Sequence, residues 1–222
     1  MEKIIVANPS RQHSDQMASA LAGANMLGLY CHGAPIRSSL AGFIPAPLNR
    51  EWVRYRLAIA ASGRLFRDPI RRAAMHRVYA HFGEAVAHAA RGHDWSAIIA
   101  SENSCLAPFR LVRARGGVTI LDAASVHHGW QAVPHDPGLA RRNAIKDAEI
   151  ALADHILTCS PMARDSYIEA GVVASRVHSL PLGVDLDGFD DAPHDARSGP
   201  ARFLFIGRSG RAKGADILAA AC

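Results

Sequence analysis

Short apolar segments alternate with amphipathic segments along most of the chain. The apolar segments have the length of buried strands and end at polar residues, glycine or proline. Between them, apolar positions recur at helical spacing. This alternation predicts an α/β fold, a Rossmann-like parallel sheet with helices on both faces and right-handed crossovers. The predicted strands are residues 4–7, 95–100, 118–121 and 155–159, with a weaker candidate at 29–31, and the predicted helices are residues 14–24, 76–88, 105–115, 140–153 and 161–170.

Capping residues set the limits of several predicted helices. Ser14 can cap the first helix, and Ser160 can cap the helix that Pro161 opens. Gly116 and Gly171 follow helical segments and predict where those helices end. The helix at 140–153 has a predicted inner face formed by Ile145, Ala148 and Leu152.

A change in composition near the end of the sequence predicts a second domain. Residues 185–200 are rich in Asp, Gly, Pro and His, as an interdomain linker is. The apolar segment at 203–206 has the pattern of a buried parallel strand, and a helix is predicted from residue 215. We therefore predict a first domain at 1–184, a linker at 185–200 and the start of a second domain at 201–222. A buried parallel strand needs the rest of its sheet, so we expect an incomplete chain.

The loop after residues 203–206 has the features of an anion site. Gly207 and Arg208 end the apolar segment, and Lys213 precedes the predicted helix. Free backbone N–H groups and the positive end of a helix dipole attract anions at such a point, and the two side chains add two positive charges. This loop contains neither the phosphate-loop motif nor the glycine motif of dinucleotide-binding proteins.

A series of short motifs runs through the second half of the chain. In order they are Ala153-Asp154, Thr158-Cys159-Ser160, Gly171, Gly183-Val184-Asp185, Phe189, Gly207-Arg208 and Lys213-Gly214. The end of this series resembles the domain junction of the family-four (group 1) retaining glycosyltransferases of the GT-B fold. The resemblance implies an N-terminal, acceptor-side domain followed by the start of a donor-binding domain. It also implies that Gly207, Arg208 and Lys213 hold the diphosphate of a nucleotide-sugar donor, without a cofactor or a metal ion. We interpret Ser160 as a helix cap first and a donor contact second.

The loop after the first strand carries two candidate acceptor contacts. Arg11 and His13 lie in a Pro-x-Arg-Gln-His-Ser segment that is similar to the opening of some members of the family. In a doubly wound sheet this loop lies at the carboxyl ends of the strands, where such folds bind ligands. The alternative is that both side chains only cap and solvate the loop.

The strand at 118–121 is expected to bring further polar residues to the same edge. Asp122 follows it directly, and His127 and His128 come slightly later. These groups can orient or deprotonate a hydroxyl acceptor, because imidazole exchanges protons near neutral pH. In the family a histidine in this loop often contacts the sugar or the acceptor. We therefore interpret His127 and His128 as catalytic candidates and Asp122 as an acceptor contact; the alternative is that the histidines only bond the backbone. Their spacing matches no helical zinc motif, and we predict no metal site.

Arginines dominate the segment from residue 50 to residue 77. They are interleaved with aromatic and aliphatic side chains, and only Glu51 and Asp68 oppose them. Three interpretations fit this pattern: arginine stems that cover a core helix, a surface that rests on anionic lipid, and a nucleic-acid contact. GT-B enzymes often act on lipid-linked acceptors, so an anionic membrane is a candidate partner, and no nucleic acid is expected.

The composition adds limits on class and location. The 222 residues are 49% hydrophobic and 20% charged, with a net charge of +5, as in a soluble globular protein. The sequence contains no segment that is long and apolar enough to span a membrane, and its first residues enter a strand with no signal-peptide pattern. The four cysteines form no close pairs, which favours free thiols. We expect a cytoplasmic protein, with a peripheral position at the inner face of the membrane as a candidate.

The resemblance implies hexosyl transfer from a nucleotide-diphospho-sugar to a hydroxyl acceptor, a glycan or a lipid-linked molecule, with retention of configuration. This chain by itself is expected to be inactive, because the family's acidic donor motif with two Glu residues is absent and one wall of the cleft would be missing. The alternatives are a non-catalytic binding module, associated with a membrane through residues 50–77, and a Rossmann-like oxidoreductase. The second is weaker, because no dinucleotide motif follows residues 4–7.

Overall fold

The computed structural model describes residues 2–10, 12–36, 40, 42–67, 70–130, 138–183, 204–207 and 213–221. The chain divides into two compact units, Met1–Gly183 and Val184–Cys222. The strands of the first unit are β1 Ile4–Asn8, β2 Leu27–His32, β3 Asn49–Glu51, β4 Ala97–Ser101, β5 Val118–Ala123, β6 His155–Thr158 and β7 Val177–Ser179. Its α-helices are α1 Ser14–Gly23, α2 Val53–Leu65, α3 Ile70–Ala90, α4 Leu106–Ala114, α5 Leu139–Leu152 and α6 Pro161–Glu169.

The strands form one parallel sheet in the order β3-β2-β1-β4-β5-β6-β7. Helices cover both of its faces, which confirms the predicted Rossmann-like fold. The strand order reverses between β1 and β4. In such sheets a crevice opens outside the carboxyl ends of the strands at this reversal, and ligands bind there.

Alternate residues of the central strands pack into two separate cores. Ile5 and Ala7 belong to the larger core, together with Phe82 of α3 and Phe109 of α4. Val6, between them in the sequence, faces the opposite side, where it packs with residues of α1 and β2. A strand alternates its side chains between the two faces of the sheet, so a continuous apolar segment is buried on both.

The caps and several elements differ from the sequence prediction. Ser14 is the first residue of α1 and its hydroxyl lies 2.9 Å from the Tyr30 hydroxyl, so it does not cap the helix; His13 occupies the N-cap position. Ser160 does cap α6, because its hydroxyl accepts a hydrogen bond from the Ala163 N–H. Strands β3 and β7 were not predicted. Each is three residues long and lies at an edge of the sheet, where a strand needs little apolar sequence.

The prediction of a buried strand at residues 203–206 is wrong for the three of these residues that the structure describes. Leu204, Phe205 and Ile206 are exposed and form no strand. A parallel strand is stable only when it pairs with neighbours and is covered on both faces. Within the described part of the second unit, this segment is accompanied only by the short helix α7, Ala215–Ala221. The predicted linker at 185–200 lies outside the described residues.

Among the described helices, none combines the length and the apolar character needed to cross a bilayer.

Cys31, Cys105 and Cys159 have free thiols, as predicted. Burial raises the pKa of the Cys31 thiol to about 12 and also raises that of Cys105. Both thiols therefore remain protonated and are core residues, not nucleophiles.

Gly83 allows α3 to approach the loop after β4. A Cβ atom at this position would lie well inside the van der Waals contact distance to the Ser104 carbonyl oxygen. We expect Gly83→Ala to lower the free energy of unfolding by about 1–3 kcal/mol, because helix and loop must separate. Urea denaturation measures this change. The matched control is Gly63→Ala on α2, where nothing lies within 4 Å and alanine should instead stabilise the helix. Equal effects of the two substitutions would contradict the packing argument.

Candidate functional site

The loop between β1 and α1 is held by local hydrogen bonds. The Asn8 side-chain oxygen accepts hydrogen bonds from the backbone N–H and the hydroxyl of Ser10, both at 2.9 Å. Gln12 has a positive φ of 45°, an unusual conformation for a residue with a side chain. This conformation precedes His13, the N-cap residue of α1. Arg11, a predicted acceptor contact, lies outside the described residues.

His13 and Asp122 meet at the carboxyl edge of the sheet. His13 Nε2 lies 3.0 Å from Asp122 Oδ1, although the two residues are 109 positions apart in the sequence. Their side chains are only 14% and 8% exposed. Asp122 lies in β5, near its end, so it shares one edge of the sheet with the loop after β1, as the sequence analysis predicted. An imidazole held by a buried carboxylate has a fixed orientation, which is what binding or deprotonating a hydroxyl group requires.

The His13–Asp122 pair lies on the wall of a cavity of about 330 Å³ in the first unit. Most of the lining is apolar: Met17 and Leu21 from α1, Leu157 from β6, and the segment 180–183 after β7. The volume lies within the range of about 300–1,000 Å³ that is usual for small-molecule sites. An apolar cavity with a few polar groups on one wall fits a ligand that presents a hydroxyl to those groups.

His127 and His128 form a second cluster after β5. Their ring centroids are 4.1 Å apart, and His128 Nε2 lies 3.0 Å from Asp147 Oδ1 on α5. The His127 backbone N–H donates to the Ser166 hydroxyl, while its Nδ1 accepts from the Gly129 N–H. His128 lines a second cavity, which is separate from the one beside the His13–Asp122 pair.

The electrostatic surroundings of His127 favour its neutral imidazole. Burial, with the neighbouring His128 as the next cause, lowers the pKa of His127. His127, His128 and Asp147 each offer one ligand atom, and these atoms lie within 4.8 Å of one another. A divalent cation would need His127 Nδ1, which already accepts a backbone hydrogen bond, or its other ring nitrogen. The absence of a metal requirement remains a prediction.

Glu149 is a buried carboxylate that the sequence analysis did not identify. Its oxygens accept hydrogen bonds from the backbone N–H groups of Asn103 at 2.8 Å and Cys105 at 3.1 Å, just before α4. Burial raises its pKa to about 7, although these hydrogen bonds act in the opposite direction. The signal was its position four residues after Ile145 and three before Leu152, on the predicted inner face. Glu149 therefore holds the loop after β4 against α5.

The predicted donor residues lie in the second unit. Gly207 and Lys213 are exposed, and Lys213 comes just before α7. Arg208 lies outside the described residues. Their role in holding a diphosphate stays a prediction.

Comparisons with known proteins concern the fold. No protein-family model matches the sequence, and no curated protein matches it at a significant level. A UGT2 structure from Phytolacca americana, complexed with UDP-2fluoro-glucose and pterostilbene, matches 83% of this chain and 54% of its own with 13% identity and a TM-score of 0.51. A UDP-GlcNAc 2-epimerase from Methanocaldococcus jannaschii matches 81% of this chain and 45% of its own, with 10% identity and a TM-score of 0.48.

A third solved structure, the lipopolysaccharide outer core galactosyltransferase WaaB, matches 85% of this chain and 47% of its own with 12% identity and a TM-score of 0.43. The chain thus spans about half the length of these proteins. At such low identities the likeness shows a shared fold, a Rossmann-like α/β domain of the kind found in GT-B proteins. The specific resemblance to family-four glycosyltransferases is not confirmed by these comparisons.

Proposed function

We propose that this chain is the acceptor-side part of a glycosyltransferase, which moves a hexosyl group from a nucleotide-diphospho-sugar to a hydroxyl acceptor. The His13–Asp122 pair on the wall of the apolar cavity carries this proposal. The motif order around residues 183–214 supports it. Further support is that the Phytolacca protein of similar fold was solved with UDP-2fluoro-glucose bound.

In the proposed reaction, the acceptor oxygen forms a bond to the anomeric carbon of the donor. The bond between that carbon and the diphosphate breaks, and the nucleoside diphosphate leaves with the electron pair. His13, oriented by Asp122, holds the acceptor hydroxyl in the apolar cavity. Gly207, Arg208 and Lys213 bind the diphosphate, whose developing negative charge two cations stabilise.

The proposal also specifies the stereochemical course at the anomeric carbon. The resemblance implies retention, in which the departing diphosphate takes the acceptor proton. The test is to follow the anomeric proton of the first-formed product by NMR, using the protein that the complete reading frame encodes and a panel of α-linked nucleotide sugars. An α-linked product supports retention. A β-linked product would assign the proton to His13 as a general base and overturn the family-four assignment; turnover equal to a buffer blank with every donor would overturn glycosyl transfer itself.

The cations of the donor loop give a second test. In the same protein, Arg208→Ala and Lys213→Ala should each weaken nucleoside-diphosphate binding and slow transfer, by a few kcal/mol where water is excluded. Calorimetric titration and steady-state kinetics measure the two effects. Arg211→Ala, in the same loop, controls for the loss of one positive charge. Unchanged affinity and turnover in both variants would show that residues 207–213 are an ordinary surface turn.

A second candidate function, membrane association, is favoured by the surface of α2 and the start of α3. Leu65 is 74% exposed and Ile70 is 61% exposed, and exposed arginines lie between and beside them. Other parts of the basic segment are structural: the Arg54 guanidinium lies over the rings of Trp52 and of the buried Tyr55. Exposed apolar side chains beside positive charges fit the headgroup region of an anionic bilayer.

We expect the protein to sediment with anionic vesicles and to remain in solution with neutral ones. Binding should weaken as salt increases, because salt screens the arginines. Leu65→Gln should also weaken it, because an apolar contact is lost. Met162→Gln is the matched control, since Met162 is a similarly exposed apolar residue on α6. Equal partition to both kinds of vesicle would remove the membrane hypothesis.

A further inference from the structure

A second cavity, of about 230 Å³, opens between α3 and α5 beside the loops that follow β4 and β5. Arg72, His76 and Tyr79 line it from α3, with the spacing of one helical face. Arg142 and Lys146 line it from α5. We refer to it as the basic cavity. The glycosyl-transfer scheme above does not use it.

Among the described residues that line the basic cavity, the ones that carry a full charge are positive. Arg72, Arg142 and Lys146 contribute three positive charges, and none of the described residues that line the cavity is a carboxylate. Lys146 also forms an ion pair at 3.0 Å with Glu102, which is not among the lining residues. Part of the positive charge of Lys146 is therefore compensated. A concave site with charges of one sign concentrates the field and attracts ions of the opposite sign.

His76 lies in this positive field. Burial, the larger cause, and the positive charges of Arg142, Lys146 and Arg141 together lower its pKa to about 4. The imidazole is therefore neutral at physiological pH and can bond a ligand without adding charge. The N-terminus of α5 contributes as well: Leu139 lines the cavity, and the first turn of this 14-residue helix has no acidic residue to offset the positive end of its dipole.

The backbone at the rim of the basic cavity is unusual. Asn103, which lines it, has a positive φ of 74°, and its N–H is bonded to the buried Glu149 carboxylate. Asparagine adopts this left-handed conformation more readily than most residues with a side chain, and the hydrogen bond to Glu149 holds it here. Glu149 thus fixes one wall of the cavity.

We propose that the basic cavity binds a phosphate monoester and that, during glycosyl transfer, it holds the phosphate of a phosphorylated acceptor. Arginine binds phosphate through paired N–H donors, and two arginines on separate helices can clamp one group. The volume is below the range of about 300–1,000 Å³ typical of sites for drug-sized ligands, so it fits a phosphorylated end group and not a whole nucleotide sugar. The link to the acceptor rests on the proposed function; the binding of a phosphate monoester does not.

Binding of sn-glycerol 3-phosphate, with glycerol as the uncharged control, tests the proposal by calorimetric titration without any nucleotide sugar. We expect Arg72→Gln and Arg142→Gln each to weaken binding about 10- to 100-fold, as the loss of a charge-assisted hydrogen bond does. Arg72→Lys should lose less affinity, because lysine keeps the positive charge and lacks only the paired N–H donors of arginine. The matched control is Arg71→Gln, at the neighbouring arginine that does not line the cavity. It should change affinity less than about threefold.

Phosphate monoesters also occur as the headgroup of phosphatidic acid, so vesicles that contain this lipid form a second arm. If only vesicle binding depends on Arg72 and Arg142, the acceptor is a lipid; if glycerol 3-phosphate binding depends on them, it is a small soluble molecule. Both results support the cavity. Equal losses of affinity in the lining variants and in the control would overturn the proposal. It would also be overturned if the wild-type protein bound neither probe at millimolar concentration. A protein that binds the ester but transfers no sugar would refute only the proposed function.

Discussion

In the His13→Ala variant, we expect kcat for glycosyl transfer to fall about 10²-fold, the usual loss when a group that positions a reactant is removed. His13 is held by the buried Asp122 carboxylate at 3.0 Å, so alanine removes both the group that meets the acceptor and its orientation. The KM for the donor should change little, because the donor residues are elsewhere in the sequence. A loss in kcat without a change in donor KM indicates an interaction made in the transition state.

Two further variants separate a role at the site from a general loss of structure. Asp122→Asn keeps the shape of the partner but removes its charge, and it should lower kcat in the same direction by a smaller factor. His155→Ala removes an exposed imidazole at the start of β6 and should leave kcat unchanged. Circular dichroism checks that each variant is folded. Activity in His13→Ala within about threefold of the wild type would exclude His13 from the reaction.

The sheet could be predicted from the sequence because its inner strands are buried on both faces. Segments such as residues 4–7 and 97–100 must then be continuously apolar, and their ends are marked by polar residues. The edge strands β3 and β7 escaped prediction because they have one neighbour each and mix polar with apolar residues. The strand predicted at residues 204–206 does not form for a different reason. An apolar segment becomes a parallel strand only beside neighbouring strands with which it can pair.

The site could be predicted in part. Loop positions after β1 and β5 indicated that His13 and Asp122 share an edge, but the sequence could not indicate that they bond to each other and not to His127 or His128. The basic cavity could not be predicted from the sequence, because Arg72 and Arg142 come together only when α3 packs near α5. Glu149 was missed because a charged residue on a helix normally faces water. Only its neighbours, the N–H groups before α4, explain its burial.

Glu149 should make the stability of the fold depend on pH. Its ordinary pKa of 4.5 is raised to about 7 in the folded protein by burial. Below about pH 4.5 the carboxyl group is protonated in both the folded and the unfolded state. As the pH rises, the unfolded chain releases the proton first, so the folded state loses relative stability until the pH passes about 7. The shift corresponds to about 3 kcal/mol in the free energy of unfolding.

The wild-type pH profile alone does not isolate this effect, because His76 acts in the opposite direction. Its folded pKa is lowered from 6.5 to about 4, so its contribution to stability is present above pH 6.5 and is lost as the pH falls toward 4. The two slopes overlap and largely cancel. The informative quantity is therefore the difference in free energy of unfolding between the wild type and a variant that lacks only the carboxyl group.

Glu149→Gln supplies that difference. Urea denaturation of both proteins from pH 4.5 to 8 should show the advantage of the wild type over the variant shrinking by about 3 kcal/mol as the pH rises, since only the wild type must ionise a buried group. Glu169→Gln, at the exposed end of α6, controls for the loss of a surface carboxyl group. A difference that stays constant, or that grows with pH, would mean that the hydrogen bonds from Asn103 and Cys105 outweigh burial and that Glu149 is already ionised in the folded protein at acid pH.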